Sequence, residues 1–304
     1  MDRRPVDRGP RADTLSAMRL ILFGLLLLGA HPAAAQQLVA CGWDEVFVLD
    51  ISGEPRKTWR WKAMDRPELP EALREKFRTT DECKPVAGNR LLITASSDGA
   101  ALVDRATGAA VWWGECGNAH SAELLPGDRV VLACSIRAGT GNRLALFDAR
   151  TPGAAVFSTD LPSGHGAVWD AERELLWAIG MDDLRAYTLT DWDSDRPRLS
   201  LASRYPLPDR SGHELMAVPD SSRLVLSTHH AVWLFDRDTR TFSKHGDLKD
   251  AADVKGVSIH PVNGRIAYIQ ADAPEWWSNR IRLLHPHRVI TMEGERLYKV
   301  RWDE

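Results

Sequence analysis

The stretch SGHGAVWDAERELLWAIG, residues 163–180, contains a histidine, a short apolar run, a tight turn and a second apolar run. The same order returns in GNAHSAELLPGDRVVLAC (117–134) and in SGHELMAVPDSSRLVLST (211–228). Short apolar runs bounded by Gly, Pro, Asn and Asp are typical of β-strands joined by hairpins. Because the pattern recurs along the chain, it predicts a protein built from one repeated β unit.

Each repeat extends to a unit of roughly 40 residues with four strand-like runs, which is the size of a propeller blade. Five complete units can be aligned by eye: 83–115, 120–161, 165–205, 213–246 and 255–293. Residues 37–62 supply the last three strands of a sixth unit, and YKVRWDE (298–304) resembles the first strand HGAVWDAE. We therefore predict an all-β, six-bladed β-propeller, closed by the C-terminal strand joining the first blade. Seven blades is the alternative, if residues 45–83 contain further strands; the clearest helical pattern is LPEALREKF (69–77).

Two resemblances accompany this pattern. The segment ALVDRATGAAVWW (101–113) is similar to the blade signature of quinoprotein-like propellers. The chain from about residue 36 onward resembles, as a whole, a family of secreted bacterial β-propellers with no assigned activity. The segments that carry this second likeness are GWDEVFVLD, DECKPV, NAHSAELLP, HGAVWD, VKGVSIHP and YKVRW. Both resemblances imply the propeller fold and leave the function to be argued from the site.

The N-terminal segment MRLILFGLLLLGAHPAAAQQ (18–37) has the features of a secretory signal peptide, with cleavage expected near Ala35. We then expect translation to start at Met18, residues 1–35 to comprise an upstream extension and the signal, and residues 36–304 to form one propeller domain. The apolar run is too short to predict a transmembrane segment. We expect a periplasmic or secreted protein; a lipoprotein anchored at Cys41 of LVAC (38–41) is the alternative.

Composition narrows the class of partner. The formal net charge of −3 gives no support for a nucleic-acid partner, and we expect a monomer.

Export permits disulfides, and Cys83 and Cys116 precede the first strands of adjacent blades, so we predict that these two pair. Cys41 and Cys134 lie at equivalent second-strand ends and are expected to be buried thiols.

Alignment of the units places one residue of each blade at the mouth of the central channel. These positions hold His120, His165, His213, Lys255 and Tyr298, and the sixth falls within Asp81-Glu82-Cys83. One interpretation is structural, because a repeated histidine can hydrogen-bond the backbone of the next blade. The other is functional, because convergent polar groups in a concave site are typical of ligand binding or catalysis. We take these five named residues as candidate catalytic residues.

Aromatic and polar residues on nearby hairpins are candidates for substrate binding. The loop QADAPEWWSNR (270–280) presents indole, amide and guanidinium groups, a combination that suits a sugar ring. The candidate binding residues are Trp43, Asp44, Glu82, Trp276, Trp277, Asn279 and Arg280.

Several functions fit these residues. His120, His165 and His213 could hold a divalent metal as cofactor, since neutral imidazole is a common ligand. The ring could instead bind an acidic glycan, or cleave it by lyase chemistry, as propellers that resemble oligogalacturonate lyases do. A non-catalytic protein-interaction scaffold is the alternative, and a quinoprotein-type redox enzyme is the weaker one.

Overall fold

The computed structural model describes residues 36–303. In it, the chain folds into six four-stranded antiparallel sheets. The expected signal peptide, upstream extension and cleavage site lie outside the described residues. The sheets form a ring, so the prediction of a six-bladed β-propeller is confirmed. Among the described residues, no helix is long and apolar enough to cross a membrane.

The strands of each blade run from the innermost to the outermost. The first blade consists of β24 (Lys299–Trp302), β1 (Gln37–Gly42), β2 (Glu45–Asp50) and β3 (Arg56–Trp61). The second consists of β4 (Thr80–Val86), β5 (Arg90–Ala95), β6 (Gly99–Asp104) and β7 (Ala110–Glu115). The third consists of β8 (Ala119–Leu125), β9 (Arg129–Cys134), β10 (Arg143–Asp148) and β11 (Phe157–Asp160).

The remaining three blades follow the same order. The fourth consists of β12 (Gly166–Asp170), β13 (Leu175–Ile179), β14 (Asp183–Thr190) and β15 (Arg198–Pro206). The fifth consists of β16 (Glu214–Ala217), β17 (Arg223–Ser227), β18 (Val232–Asp236) and β19 (Thr241–Lys244). The sixth consists of β20 (Val254–Ile259), β21 (Ile266–Gln270), β22 (Arg280–Leu284) and β23 (Arg288–Thr291).

The link between the first two blades contains helical turns instead of extra strands. They are a 3-10 turn at Ala63–Asp65, the helix α1 at Glu71–Arg74 and a second 3-10 turn at Glu75–Phe77. Leu73 and Phe77 are buried against the first and second blades. The helical pattern predicted at 69–77 is thus present in part, and the seven-bladed alternative is wrong.

The hydrophobic core is divided into six clusters, one for each pair of adjoining blades. Alternate residues of a strand face opposite sides of its sheet, so each blade contributes to two clusters. One cluster joins the sixth blade to the first and includes Val300 and Trp302 of β24. Because β24 pairs with β1 between Leu38 and Cys41, the two ends of the propeller are held together by main-chain hydrogen bonds.

The cysteines pair differently from the sequence-based prediction. Cys116 forms a disulfide with Cys134, with Cα atoms 6.0 Å apart, and Cys83 is a free buried thiol. The predicted Cys83–Cys116 bond is wrong because the two side chains lie on opposite sides of the second blade. Cys83 packs with Cys41 against the first blade, whereas Cys116 packs against the third. Cys41 is a buried thiol as predicted, and Cys134 is not.

Candidate functional site

One residue of each blade occupies the same structural position, at the start of the innermost strand. Asp81, His120 and Lys255 are each the extra residue of a β-bulge at this point. His165, His213 and Tyr298 immediately precede the first paired residue of their strands. Their backbone N–H groups bond to Ile179, Ser227 and Cys41. Bulges often re-aim a side chain next to a functional site.

In four blades, the residue two positions before the site residue has a left-handed backbone conformation, which helps to orient the site residue. Asn118, Ser163, Ser211 and Asp253 have φ between 49° and 64°, and they precede His120, His165, His213 and Lys255 respectively. Asn and Asp tolerate this conformation better than most residues. The chain therefore turns sharply before each of these side chains enters the channel mouth.

The six side chains enclose one pocket of about 290 Å³. Its lining consists of Asp81, Ser96, Asn118, His120, His165, His213, Lys255, Trp276 and Tyr298. All five candidate catalytic residues thus lie together. The sequence pattern alone does not choose among Asp81, Glu82 and Cys83, and it does not indicate Ser96 or Asn118. The recurrence of Asn, Ser or Asp two residues before the site residue is a signal that could have pointed to Asn118.

His165 presents an unprotonated nitrogen. Its Nδ1 lies 2.8 Å from the carbonyl oxygen of Ser163, so Nδ1 carries the hydrogen and Nε2 keeps its lone pair. Burial lowers the pKa of His165 well below the usual 6.5, and the neighbouring His120 and His213 lower it further. At neutral pH this imidazole is a neutral base.

His213 interacts with the amine of the ring. Lys255 Nζ lies 3.3 Å from His213 Nε2 and donates to it, which leaves the hydrogen of His213 on Nδ1. Burial, and next the charge of Lys255, lower the pKa of His213 well below 6.5. Burial also lowers the pKa of Lys255 from 10.5, although Asp253, 3.4 Å away, opposes this shift.

His120 of the third blade and Tyr298 of the first blade complete the ring. His120 Nδ1 lies 3.2 Å from Oδ1 of the buried Asp81, and its ring stacks on those of His165 and Tyr298. Burial, followed by the negative charges of Asp81 and Glu214, raises the pKa of Tyr298 well above 10. Tyr298 therefore keeps its proton at neutral pH and can donate it.

Buried polar atoms in this pocket lack hydrogen-bond partners among the described residues. They are His213 Nδ1, and Asp81 Oδ1 with His120 Nδ1, which lie 3.2 Å from each other but are not aligned for a hydrogen bond. Buried polar groups are rarely left unpaired, because each costs roughly 1–3 kcal/mol of desolvation. Their convergence on one cavity is typical of a site that completes its hydrogen bonds with a ligand.

Aromatic side chains form one wall of the pocket. Trp276, 41% exposed, stacks on Trp43 with ring centroids 5.1 Å apart and contacts Tyr298 edge-on. Trp277 meets Trp43 edge-on, and Arg296 lies over both Trp43 and Trp277. Of the predicted binding residues, Trp276 alone lines the pocket, and Trp43 and Trp277 support it from behind.

The other predicted binding residues lie outside the pocket. Asp44 is paired with Lys62 at 3.0 Å, and Arg280 is paired with Asp272 in its own loop. Asn279 lies in that loop, where its carbonyl accepts a hydrogen bond from Met292. The assignment of Asp44, Asn279 and Arg280 to substrate binding stays a prediction; in the structure, Asp272 holds the loop that carries Trp276 through Arg280 and Ser278.

Glu82 also lies outside the pocket lining, in the channel beneath the pocket, and its predicted role in substrate binding stays a prediction. Arg301 donates to Glu82 and to Glu214 over distances of 2.7–3.1 Å, and Lys299 Nζ lies 3.4 Å and 3.6 Å from the same two carboxylates. These four side chains, which we term the channel plug, are at most 1% exposed. Although burial opposes it, the charges of Arg301 and Lys299 hold the pKa of Glu82 well below its usual range. Lys299 Nζ also lies 3.2 Å and 3.4 Å from the carbonyl oxygens of His120 and His165, so the plug lies directly beneath the ring.

The three histidines do not form the predicted metal site. Within residues 36–303, no group of three His, Cys, Asp or Glu side chains is arranged to hold a metal ion. The rings of His120 and His165 stack face to face at 4.3 Å, so their nitrogen lone pairs do not converge on a common point. His213 directs Nε2 toward Lys255 instead.

Fold and site together define a six-bladed β-propeller with a polar pocket at one end of its channel. We term this pocket, lined by the six ring residues with Ser96, Asn118 and Trp276, the cup. The chain belongs to DUF6528, a family of unknown function, whose sequence profile matches residues 34–303. No curated protein shows a significant sequence match to the chain. The predicted membership of a propeller family without an assigned activity is thus confirmed, whereas secretion and the quinoprotein likeness remain predictions.

Proposed function

We propose that this propeller binds the carboxylate-bearing sugar residue of an acidic glycan in the cup and can cleave the glycan there by β-elimination. The observation that carries the proposal is the convergence of three imidazoles, an amine, a phenol and an indole on one pocket. A fold of this kind serves both binding proteins and enzymes, so the pocket chemistry has to select the function.

The size of the cup favours a single sugar ring. Ligand pockets usually measure about 300–1,000 Å³, and this one, at about 290 Å³, lies at the lower limit. Trp276 offers an apolar face to the ring, while the unpaired polar atoms can bond to its hydroxyl groups. Lys255 supplies the positive charge that selects a carboxylate over a neutral sugar.

The protonation states of the ring suit elimination. The neutral Nε2 of His165 removes the proton from the sugar carbon that bears the carboxylate. The electron pair of that carbon–hydrogen bond then forms a carbon–carbon double bond to the neighbouring ring carbon. The neighbouring carbon–oxygen bond to the next sugar breaks, and the leaving oxygen receives the proton of Tyr298. Proton transfer by positioned groups of this kind contributes about 10²–10⁴-fold to rate. Lys255 stabilises the negative charge that develops on the carboxylate.

We also propose that the mature domain, residues 36–304, acts after export from the cytoplasm. The signal-like segment 18–37 supports this location. The Cys116–Cys134 disulfide supports it as well, because disulfides persist mainly in oxidising compartments.

The first prediction is that the purified protein binds a hexuronate more tightly than the matching neutral hexose. Isothermal titration should show a difference of about tenfold, since a hydrogen bond to a charged group contributes about 1.5–3 kcal/mol. Lys255→Met should abolish this preference, and Lys249→Met, which removes an exposed lysine outside the cup, should preserve it. In the same samples, cleavage of an oligouronate would appear as ultraviolet absorbance of the unsaturated product.

Each alternative has a distinct result. Equal affinity for the uronate and the hexose would contradict the role of Lys255. Binding without an unsaturated product would reduce the proposal to a glycan-binding protein. Failure to bind either sugar would exclude both versions and favour a protein-interaction scaffold.

A further inference from the structure

Five of the ten histidines of the chain form one continuous row across the mouth of the cup. Ring centroids are 4.3 Å apart from His120 to His165, 5.0 Å from His165 to His213, 5.1 Å from His213 to His229 and 6.1 Å from His229 to His230. We term these residues the histidine row. It runs from the largely buried His120 to His230, whose side chain is 79% exposed on the β17–β18 hairpin.

The two ends of the row are matched by carboxylates from other elements. At the inner end, β4 supplies Asp81 to His120, and Tyr298 packs on the same ring. At the outer end, Asp253 lies 3.7 Å from His229, and Asp209 lies 3.0 Å from His230.

The middle of the row faces cations instead. Lys255 from β20 contacts His213, and Lys299 from β24 lies beneath, 3.4 Å from the carbonyl oxygen of His165. Glu214, next to His213 in the chain, is bound to Arg301 in the channel plug. Its charge is thus already compensated. A proton added to His213 therefore meets like charges from Lys255, His229 and Lys299.

We propose that the cup takes its anionic ligand together with one proton, which is held by His213. The inference rests on the proposed function, because the carboxylate of the ligand supplies the negative charge that the middle of the row lacks. With the carboxylate in place, His213 and Lys255 form two cationic contacts to it, and His165 remains free as the base. Proton and ligand then stabilise each other's binding reciprocally.

The direction of the pH dependence of anion binding follows from the charge of His213 with and without the ligand. Without ligand, His213 is neutral at neutral pH because its pKa is low; the bound carboxylate raises that pKa. Between the two pKa values, binding takes up a proton. The affinity for the anion therefore rises as the pH falls and levels off once His213 is protonated in the free protein.

The experiment is calorimetric titration of a hexuronate between about pH 5 and about pH 8, in two buffers of different ionisation enthalpy. The difference between the buffers gives the number of protons taken up. We expect this number to approach one, with the Kd weakening by up to about tenfold per pH unit above the plateau. Substitution His213→Gln should remove the uptake and flatten the pH dependence.

A second variant tests the row itself. The double substitution His229→Gln with His230→Gln removes the His229 ring, which contacts His213 and lowers its pKa, so the midpoint of proton uptake should move to higher pH. His285→Gln with His287→Gln, exposed histidines outside the row, should behave as the wild type. Uronate binding without proton uptake, or uptake that persists in His213→Gln, would overturn this inference and leave the proposed function intact. Absence of uronate binding at every pH would overturn both.

Discussion

The charge of the side chains around the pocket depends on which residue each blade places at the start of its innermost strand. Blades two to six and the C-terminal strand contribute Asp81, His120, His165, His213, Lys255 and Tyr298 respectively. The residues that come next along the innermost strands form a second set, which includes Glu82, Glu214 and Lys299 of the channel plug. A shift of one residue would therefore exchange the residues that line the pocket for those of the plug, because neighbouring strand residues face opposite ways.

The low pKa values of His165 and His213 predict acid sensitivity. A histidine whose pKa is lower in the folded than in the unfolded chain favours unfolding as the pH falls, because the unfolded state binds more protons. The stability that these two residues contribute is complete above about pH 6.5 and declines below it. Urea unfolding at a series of pH values should show a smaller loss for His165→Gln or His213→Gln than for the wild type. An unchanged slope, equal to that of the exposed-site variant His287→Gln, would contradict this prediction.

At the scale of single elements, β24 has two functions. It completes the first blade, and it carries both cations of the channel plug. A close approach to the sixth blade is needed as well, because a Cβ atom at Gly256 would lie 3.0 Å from the Cα atom of Lys299. The strand thus connects closure of the ring to the floor of the cup.

The substitution Arg301→Met should strongly destabilise the fold. It leaves Glu82 and Glu214 buried with Lys299 as their remaining cationic partner in the plug, and removal of one member of a buried ionic group typically costs about 3–5 kcal/mol. Denaturant unfolding measures this loss. Arg56→Met, at a 73% exposed side chain, is the matched control and should change stability by less than about 0.5 kcal/mol. A similar small change in both variants would show that the plug does not stabilise the closed ring.

The disulfide should stabilise the link that carries Asn118 and His120. Cys116 and Cys134 are separated by 18 residues, and a cross-link over a loop of this length contributes about 2–4 kcal/mol. The double variant Cys116→Ser with Cys134→Ser should lose that amount in urea unfolding. Reductant should lower the stability of the wild type to that of the variant and leave the variant unchanged. A wild type that is insensitive to reductant, although its disulfide is shown to be reduced, would contradict this account.

At the scale of the whole molecule, the cup is a consequence of six-fold repetition combined with closure. Each blade is an ordinary antiparallel sheet, and the blades pack through six separate apolar clusters. The innermost strands bring charged residues into the channel, where Glu82, Glu214, Lys299 and Arg301 neutralise one another. The plug lies in the channel next to the backbone of His120 and His165, so charged side chains occupy the channel beneath the pocket.

The sequence by itself determined the blade repeat, the number of blades, the closing role of 298–304 and five residues of the ring. These follow from local patterns: alternating strands, turn residues and the same residue types at the same point of successive units. Such patterns report which residues share a position, since every blade obeys the same backbone geometry.

Only the tertiary structure decided how the side chains at those positions meet. The bulge selected Asp81 for the cup and sent Glu82 to the plug, and the two faces of the second blade separated Cys83 from Cys116. The stacking of His120 on His165, which opposes a metal site, and the edge-on contact of His165 with His213 both join different blades. Distances of this kind depend on packing between blades, and no pattern within one blade encodes them.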